Sequence, residues 1–422
     1  MRLQKRVLAV LWLALVAGLM AYAQQPGSAD PDARIRYYRQ RIGGRSTYPA
    51  YARLGLAFAD KARASGRVSY YLDAARYLER SLSMQRNYEA LLGLSTVSLA
   101  LHRFPEARTY AQEAVDTMAG DPSARGALFD AHLAMGDLQA AEAALERMQE
   151  RTDFSYLIRL AAFHEYQGES ADALREVEQA CALPEMQSAP ATTRAWCEVR
   201  RGSLQLAQCH PDRARAAYER ALTLAPSYFL AGEHLAELDA AEGKTRQALR
   251  FYEKQWKAAP DPRYRIAQGD LYAAAGKPQQ AAEQRRRARS ELLQRAAGNI
   301  RDAWHELALL EADDAKTRAE AVRWAEKDWQ NRQDVHAADA LAWAWAQQGD
   351  TPKAEAALEP AMAPGSASPL LLLHASLIRW RSGRADEAHA LLAKALVCPV
   401  ALSPQERRLA EQVKSELASP KR

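Results

Sequence analysis

The feature that most constrains this chain is a short motif that comes back at a fixed interval. Its clearest copy runs from Cys209 to Pro226, where Ala214, Tyr218 and Ala221 follow one another at spacings of four and three. Those spacings stack the three side chains on one helix face. The two alanines let a neighbouring helix approach closely, Tyr218 fills the gap between them, and Pro226 ends the helix. Taking Ala214 as anchor, the same position recurs at Ala74, Ala107, Ala141, Ala173, Ala248, Ala281, Ala321, Ala354 and Ala388. In chain order the steps are 33, 34, 32, 41, 34, 33, 40, 33 and 34 residues. The period predicts one helix pair per step, each pair burying its apolar stripe against the next. The two long steps fall on an insertion at residues 183–190 and on a second helix that runs on towards Gly298.

The order Ala, aromatic, Ala, Pro at this period resembles the second helix of a tetratricopeptide (TPR) repeat. Leu54-Gly55 likewise matches the Leu-Gly of that family's first helix. The resemblance implies an all-α, right-handed α-solenoid of about ten TPR helix pairs with short N- and C-terminal capping helices. The expected organisation is a signal peptide over 1–23, a tail and short capping helix over 24–47, the array over 48–402, and a capping helix and tail over 403–422. Glycines five residues before the anchors, as at Gly136, Gly168 and Gly243, mark turns that need φ > 0. Repeat eight departs most, with Asp313-Asp314 where that glycine turn would be. Asp30 and Ser403, each followed by proline, read as helix N-caps. The aromatic pair Tyr37-Tyr38 is expected to cover the start of the array.

The first residues read differently. Arg2, Lys5 and Arg6 precede an uncharged apolar run, Val7–Met20, and Ala21-Tyr-Ala23 follows. That is the layout of a secretory signal with cleavage between Ala23 and Gln24. The apolar run is shorter than the ~20 residues that a spanning helix needs. Cleavage removes three cations, leaving 5 − 3 = +2 on the rest. A near-neutral chain offers no clustered basic face for nucleic acid. The densest basic run, Arg285–Arg289, lies on an amphipathic helix and reads as a solvated face. Four cysteines are too few for a disulfide-built scaffold, but close pairs join in an oxidising compartment. Cys181 and Cys197 face each other across the 183–190 insertion and are the disulfide candidate.

No catalytic or metal motif emerges. The nine histidines are never closer than fifteen residues, so no His-x-x-x-His pair exists, and Cys-x-x-Cys is absent. Gly243-Lys-Thr245 imitates the end of a phosphate loop, yet Leu238 stands where that loop needs glycine, and no strand precedes it. The reading is therefore a non-enzyme without metal or cofactor. The resemblance implies that the first helix of each repeat lines a concave groove. Carried onto this chain, the groove positions are Trp196, Glu233, Glu237, Asp270, Glu306, His336, Asp339 and Trp343, with Glu165, Trp380 and Arg381 beside them. The set is acidic and aromatic, which suits an extended basic partner. The expected function is an exported, periplasmic or otherwise secreted interaction scaffold that binds a protein or peptide, with no stable membrane insertion after cleavage. The competing readings are an enzyme or enzyme-associated domain without a local motif, and an assembly factor anchored by an uncleaved N-terminal helix. Oligomeric state is open.

Overall fold

The computed structural model describes residues 30–44, 47–148, 152–366 and 368–418; the signal segment and its Ala23–Gln24 junction lie outside them. Among the described residues every regular element is helical, so the chain is all-α. They divide into two compact units: the described residues up to Phe163 together with Gln179–Ser188, and His164–Glu178 with Ala189 onward. No described helix is long and apolar enough to cross a membrane.

In the first unit, α1 (Pro31–Gly43) precedes three antiparallel pairs. These are α2 (Tyr48–Ser65) with α3 (Ser69–Met84), α4 (Tyr88–Ala100) with α5 (Phe104–Thr117), and α6 (Pro122–Ala134) with α7 (Leu138–Glu146). Asp30 caps α1 by accepting from the Asp32 and Ala33 amides at 2.9 and 3.2 Å. Of the aromatic pair, Tyr38 packs on the core while Tyr37 is 53% exposed, so only one of the two covers the first repeat. Packing between pairs is tight enough to dictate residue size. A Cβ at Gly55 would sit 2.6 Å from Leu78 Cγ, so only glycine lets α2 and α3 meet there.

α8 (Phe154–Tyr166) and α9 (Ser170–Ala182) straddle the division. The second unit continues with α10 (Ala191–Ala207) and α11 (Pro211–Leu224), then α12 (Phe229–Ala241) and α13 (Thr245–Ala258). Next come α14 (Pro262–Ala274) with the long α15 (Pro278–Ala297), and α16 (Asp302–Ala312) with α17 (Arg318–Asn331). α18 (Val335–Gln348) pairs with α19 (Thr351–Met362), α20 (Pro369–Arg381) with α21 (Ala385–Ala395), and α22 (Pro404–Leu417) ends the unit. Repeat eight keeps the two-helix form although it lacks the glycine: Thr317 Oγ1 donates to the Glu311 carbonyl at 2.9 Å and closes its turn.

The ten anchor alanines are all buried, none above 5% exposed. Tyr218 does what its position requires: it lies flat against α10, where a Cβ at Gly202 would come within 2.4 Å of its ring, and stacks on His234 at 4.8 Å. The inter-helix turns use left-handed backbone at Gly136, Gly168, Gly243, Gly276, Gly349 and Gly383. Two repeats hold a side chain at that point, His102 with φ 55° and Cys209 with φ 61°. A non-glycine residue there is strained by roughly 1–2 kcal/mol, and Cys209 turns out to be bonded.

Candidate functional site

The predicted groove residues come together in the second unit, but as a buried charge ladder. Glu233 on α12, Asp270 on α14, Glu306 on α16 and Asp339 on α18 are 4%, 1%, 4% and 1% exposed. The expectation of an acidic surface open to a partner is corrected here for those four carboxylates. Trp196 and Trp343 are each 2% exposed, so neither offers a ring to a ligand. Trp343 instead stacks on His374 at 3.9 Å, and His374 Nδ1 lies 2.7 Å from Asp339 Oδ1. Glu237 is half-buried with Oε2 3.0 Å from His234 Nδ1. His336 is half-buried at the start of α18, its amide donating to Asp334. Glu165 keeps more exposure and pairs with Arg200. Arg381 donates to the Ala346 carbonyl at 3.0 Å, and Trp380 meets His389 edge-on.

Burial sets the chemistry of this ladder. Removal from water pushes the Glu306 carboxyl up to about 8 and Glu233 up to about 7, with Arg263 opposing in both cases. Asp261 is buried too, yet Arg263 and Arg295 hold it well below the ordinary carboxylate range. Arg295 bridges Asp261 and Asp302 at 3.0 Å each, so α14, α15 and α16 share one cation. Arg332 does the same for Asp328 and Asp334, and His305 Nδ1 lies 3.1 Å from Asp328. Buried ions must be paired, and these are paired between helices as well as within them. The ladder fixes the register of neighbouring repeats; no group of three or more His, Cys, Asp or Glu that could hold a metal occurs among the described residues.

What covers the inner side is the chain's own C-terminus. Cys398 is disulfide-bonded to Cys209, with 5.3 Å between their Cα atoms and 189 residues between them in sequence. A 3-10 turn, Pro399–Ala401, follows against α12. Ser403 and Glu406 form a reciprocal capping box that starts α22. Arg407 then donates to the Ala241 carbonyl, Arg408 Nη1 to the Asp270 carbonyl at 3.3 Å, and Gln405 Nε2 to Asp313 Oδ2 at 2.8 Å. Leu409, Ala410, Val413 and Leu417 bury the other face of α22 in the core of repeat ten. A second seam lies nearby: Val335 N–H donates to the Tyr166 hydroxyl at 3.1 Å, and Gly365 sits against the Gln167 carbonyl.

The sequence singles out Cys181 and Cys197 as the disulfide candidate and does not point to the Cys209–Cys398 bond. The one signal that could have found it is Cys209 standing where other repeats hold glycine. No cysteine among the described residues is free. Another unforeseen group lies in the first unit. Arg159, 1% exposed, donates from Nε to Asp130 Oδ1 at 2.9 Å and from Nη2 to Oδ2 at 2.7 Å. Burial pushes Asp130 up to about 6 despite that arginine. A Cβ at Gly126 would lie 2.6 Å from Arg159 Cζ, so glycine makes room for the guanidinium.

A tetratricopeptide repeat family model matches residues 98–163. No curated protein matches the sequence. Among solved structures, a tetratricopeptide repeat protein from Parabacteroides merdae is 17% identical, covering 63% of this chain and 99% of its own, with a TM-score of 0.35. Yeast Tom70 is 13% identical with 96% of each chain covered and a TM-score of 0.35. The human IFIT1 dimer with PPP-AAAA is 12% identical, covers 93% of this chain and 94% of its own, and has a TM-score of 0.45.

Proposed function

We propose that this chain, a tetratricopeptide repeat protein, is an exported scaffold that holds partner proteins in cell-envelope assembly or secretion. The observation that carries the export part is the Cys209–Cys398 bond. A disulfide between residues 189 apart suits an oxidising compartment, and the basic, apolar and small-residue start of the chain suits a cleaved signal. The binding part rests on the helix-pair array, whose family characteristically engages other proteins.

The partly exposed acids beside the buried ladder, Glu165 and Asp313, favour a partner with lysine or arginine. Exposed ion pairs contribute only ~0–1 kcal/mol each, so several act together and binding weakens with salt. Reversing Glu233 or Asp270 would test folding rather than binding, because both are buried. The informative changes are Glu165→Lys and Asp313→Lys, at partly exposed positions. Pull-down from an envelope extract at low and moderate ionic strength, followed by identification of what is retained, is the test. A folded double variant that retains the same proteins with no salt dependence would remove this face as the site. N-terminal sequencing of exported protein should begin at Gln24; an intact Met1 in membranes favours the anchored reading.

A further inference from the structure

We propose that the first repeat carries a cationic, tyrosine-rich face that seats this protein on an anionic bilayer surface through phospholipid phosphates. Such seating is separate from the scaffold reading, because it concerns where the chain is held and not which proteins it holds.

The charge of this chain is unevenly placed. Residues 30–86 contain twelve arginines and lysines against five aspartates and glutamates, a balance of 12 − 5 = +7. The whole chain carries +5 and residues 1–29 account for +3, so residues 87–422 carry 5 − 3 − 7 = −5. The near-neutral total therefore hides a basic first repeat joined to a mildly acidic remainder, and that asymmetry marks an electrostatic contact. Within the segment the acids are too few to cancel the bases. Asp60 is shared by Arg34 and Arg63, and Asp32 is taken by Lys61. Arg39, Arg41 and Arg80 are exposed and meet no carboxylate among the described residues.

Rings hold those three instead. Phe58 stacks on Tyr77 at 5.4 Å, Tyr51 stacks on Tyr77 at 6.5 Å, and Tyr70 lies 6.2 Å from Phe58, so the four make one row on α2 and α3. Arg39 lies 5.2 Å over Phe58 and Arg80 5.9 Å over Tyr51, while Lys61 and Arg76 cover Tyr70 and Tyr77 at 4.6 and 5.0 Å. Arg41 covers Tyr37 at 5.6 Å and donates to its hydroxyl at 3.0 Å. A cation over a ring is fixed in position yet keeps its charge, so α1, α2 and α3 present oriented guanidinium groups that no acid cancels. Beside Arg41, the 53% exposed Tyr37 supplies the amphipathic kind of ring that sits at headgroup depth.

The occupant follows from what the rings leave open. Single-stranded nucleic acid needs bare rings on which bases stack, and here the rings stack on one another with cations over them. An anionic bilayer needs neither ring nor cavity, only cations within a Debye length of its phosphates, each contributing about fivefold to binding. The basic face is also the folded part nearest in sequence to Val7–Met20, the apolar run of the expected export signal, with ten residues between Met20 and α1.

The test is co-sedimentation of the chain from Gln24 onward, which keeps every described residue, with vesicles of phosphatidylcholine alone or mixed with phosphatidylglycerol. Wild type should bind the mixed vesicles at low salt, at least tenfold more weakly at high salt, and phosphatidylcholine alone not at all. Arg39→Gln/Arg41→Gln/Arg80→Gln should bind about a hundredfold more weakly, and the same three changed to lysine should bind as wild type does. Arg246→Gln/Arg286→Gln/Arg287→Gln removes as much charge from exposed positions outside the first repeat and should leave binding unchanged. Equal binding to both kinds of vesicle, or equal affinity of the two glutamine variants, overturns the proposal. Should the first variant not fold, Arg36→Gln/Arg86→Gln, at exposed positions of the same segment, should still weaken binding at least tenfold, and no loss overturns the proposal. A single-stranded RNA bound more tightly than the vesicles, and released by the same three changes, would assign the face to nucleic acid and overturn the bilayer. None of these measurements involves a partner protein, so the pull-down above can fail while this face stands.

Discussion

Replacing Glu306 by glutamine should stabilise this protein, and the gain should depend on pH. Glu306 is 4% exposed on α16, and one of its carboxyl oxygens has no hydrogen-bond partner. Burial lifts its pKa from 4.5 to about 8 against the pull of Arg263. The folded state thus holds this proton to higher pH than the unfolded chain. Below about pH 4.5 both states are protonated and the residue contributes no penalty. As pH rises from there, the unfolded chain ionises first, and folding loses about 1.4 kcal/mol per pH unit. The loss reaches about 3 kcal/mol at pH 7 and levels off near 5 kcal/mol above the folded value. Glutamine has the same shape and does not titrate, so Glu306→Gln should exceed wild type by under about 1 kcal/mol at pH 5 and by about 3 kcal/mol at pH 7. Urea unfolding followed by circular dichroism at pH 5, 6, 7 and 8 measures the difference, in which groups titrating alike in both proteins cancel. Parallel stability profiles would refute the argument, because they would mean that Glu306 stays ionised and solvated.

Three further changes probe other parts of the structure. Cys209→Ser/Cys398→Ser opens a loop of 189 residues, which chain entropy values at up to about 5 kcal/mol; a urea midpoint equal to that of the oxidised protein would contradict this. Gly126→Ala places a methyl 2.6 Å from Arg159 Cζ and should cost about 3 kcal/mol by displacing a buried ion pair, so an unshifted thermal transition of the first unit would count against the packing described. Peptide mapping of exported protein without reductant should recover Cys181 linked to Cys197, and two free thiols at those positions would reject that bond.

The repeat itself was readable because its determinants are local. An alanine that must let a helix pass, or a turn that must adopt positive φ, constrains residue type within a few positions, and the constraint recurs every repeat. Glu233, Asp270, Glu306 and Asp339 were correctly placed on successive first helices for the same reason. Their burial was not readable. It depends on groups from other helices, Arg263 acting on Glu233 and Glu306, Arg285 on Asp270 and His374 on Asp339, and on a C-terminal segment returning to α12, α14 and α16. Cys398 reaches Cys209 only through the summed small rotations of the intervening helix pairs, which no local pattern encodes. Arg159 and Asp130 lie 29 residues apart, about one repeat, and a buried pair at that spacing looks in sequence like two ordinary surface charges.

The seam formed by Tyr166 with Val335, and by Cys209 with Cys398, has a consequence for how such a chain can change over time. An open stack of helix pairs grows or shrinks by duplicating or losing a module, since each module meets only its neighbours. Here the count between the two cysteines is locked. Inserting one 34-residue module between repeats five and ten would carry Cys398 a full step past its partner, strand Arg407 and Arg408 opposite the wrong carbonyls, and separate Val335 from Tyr166. Length variation is therefore confined to modules outside the seam, and within it the chain evolves by substitution alone.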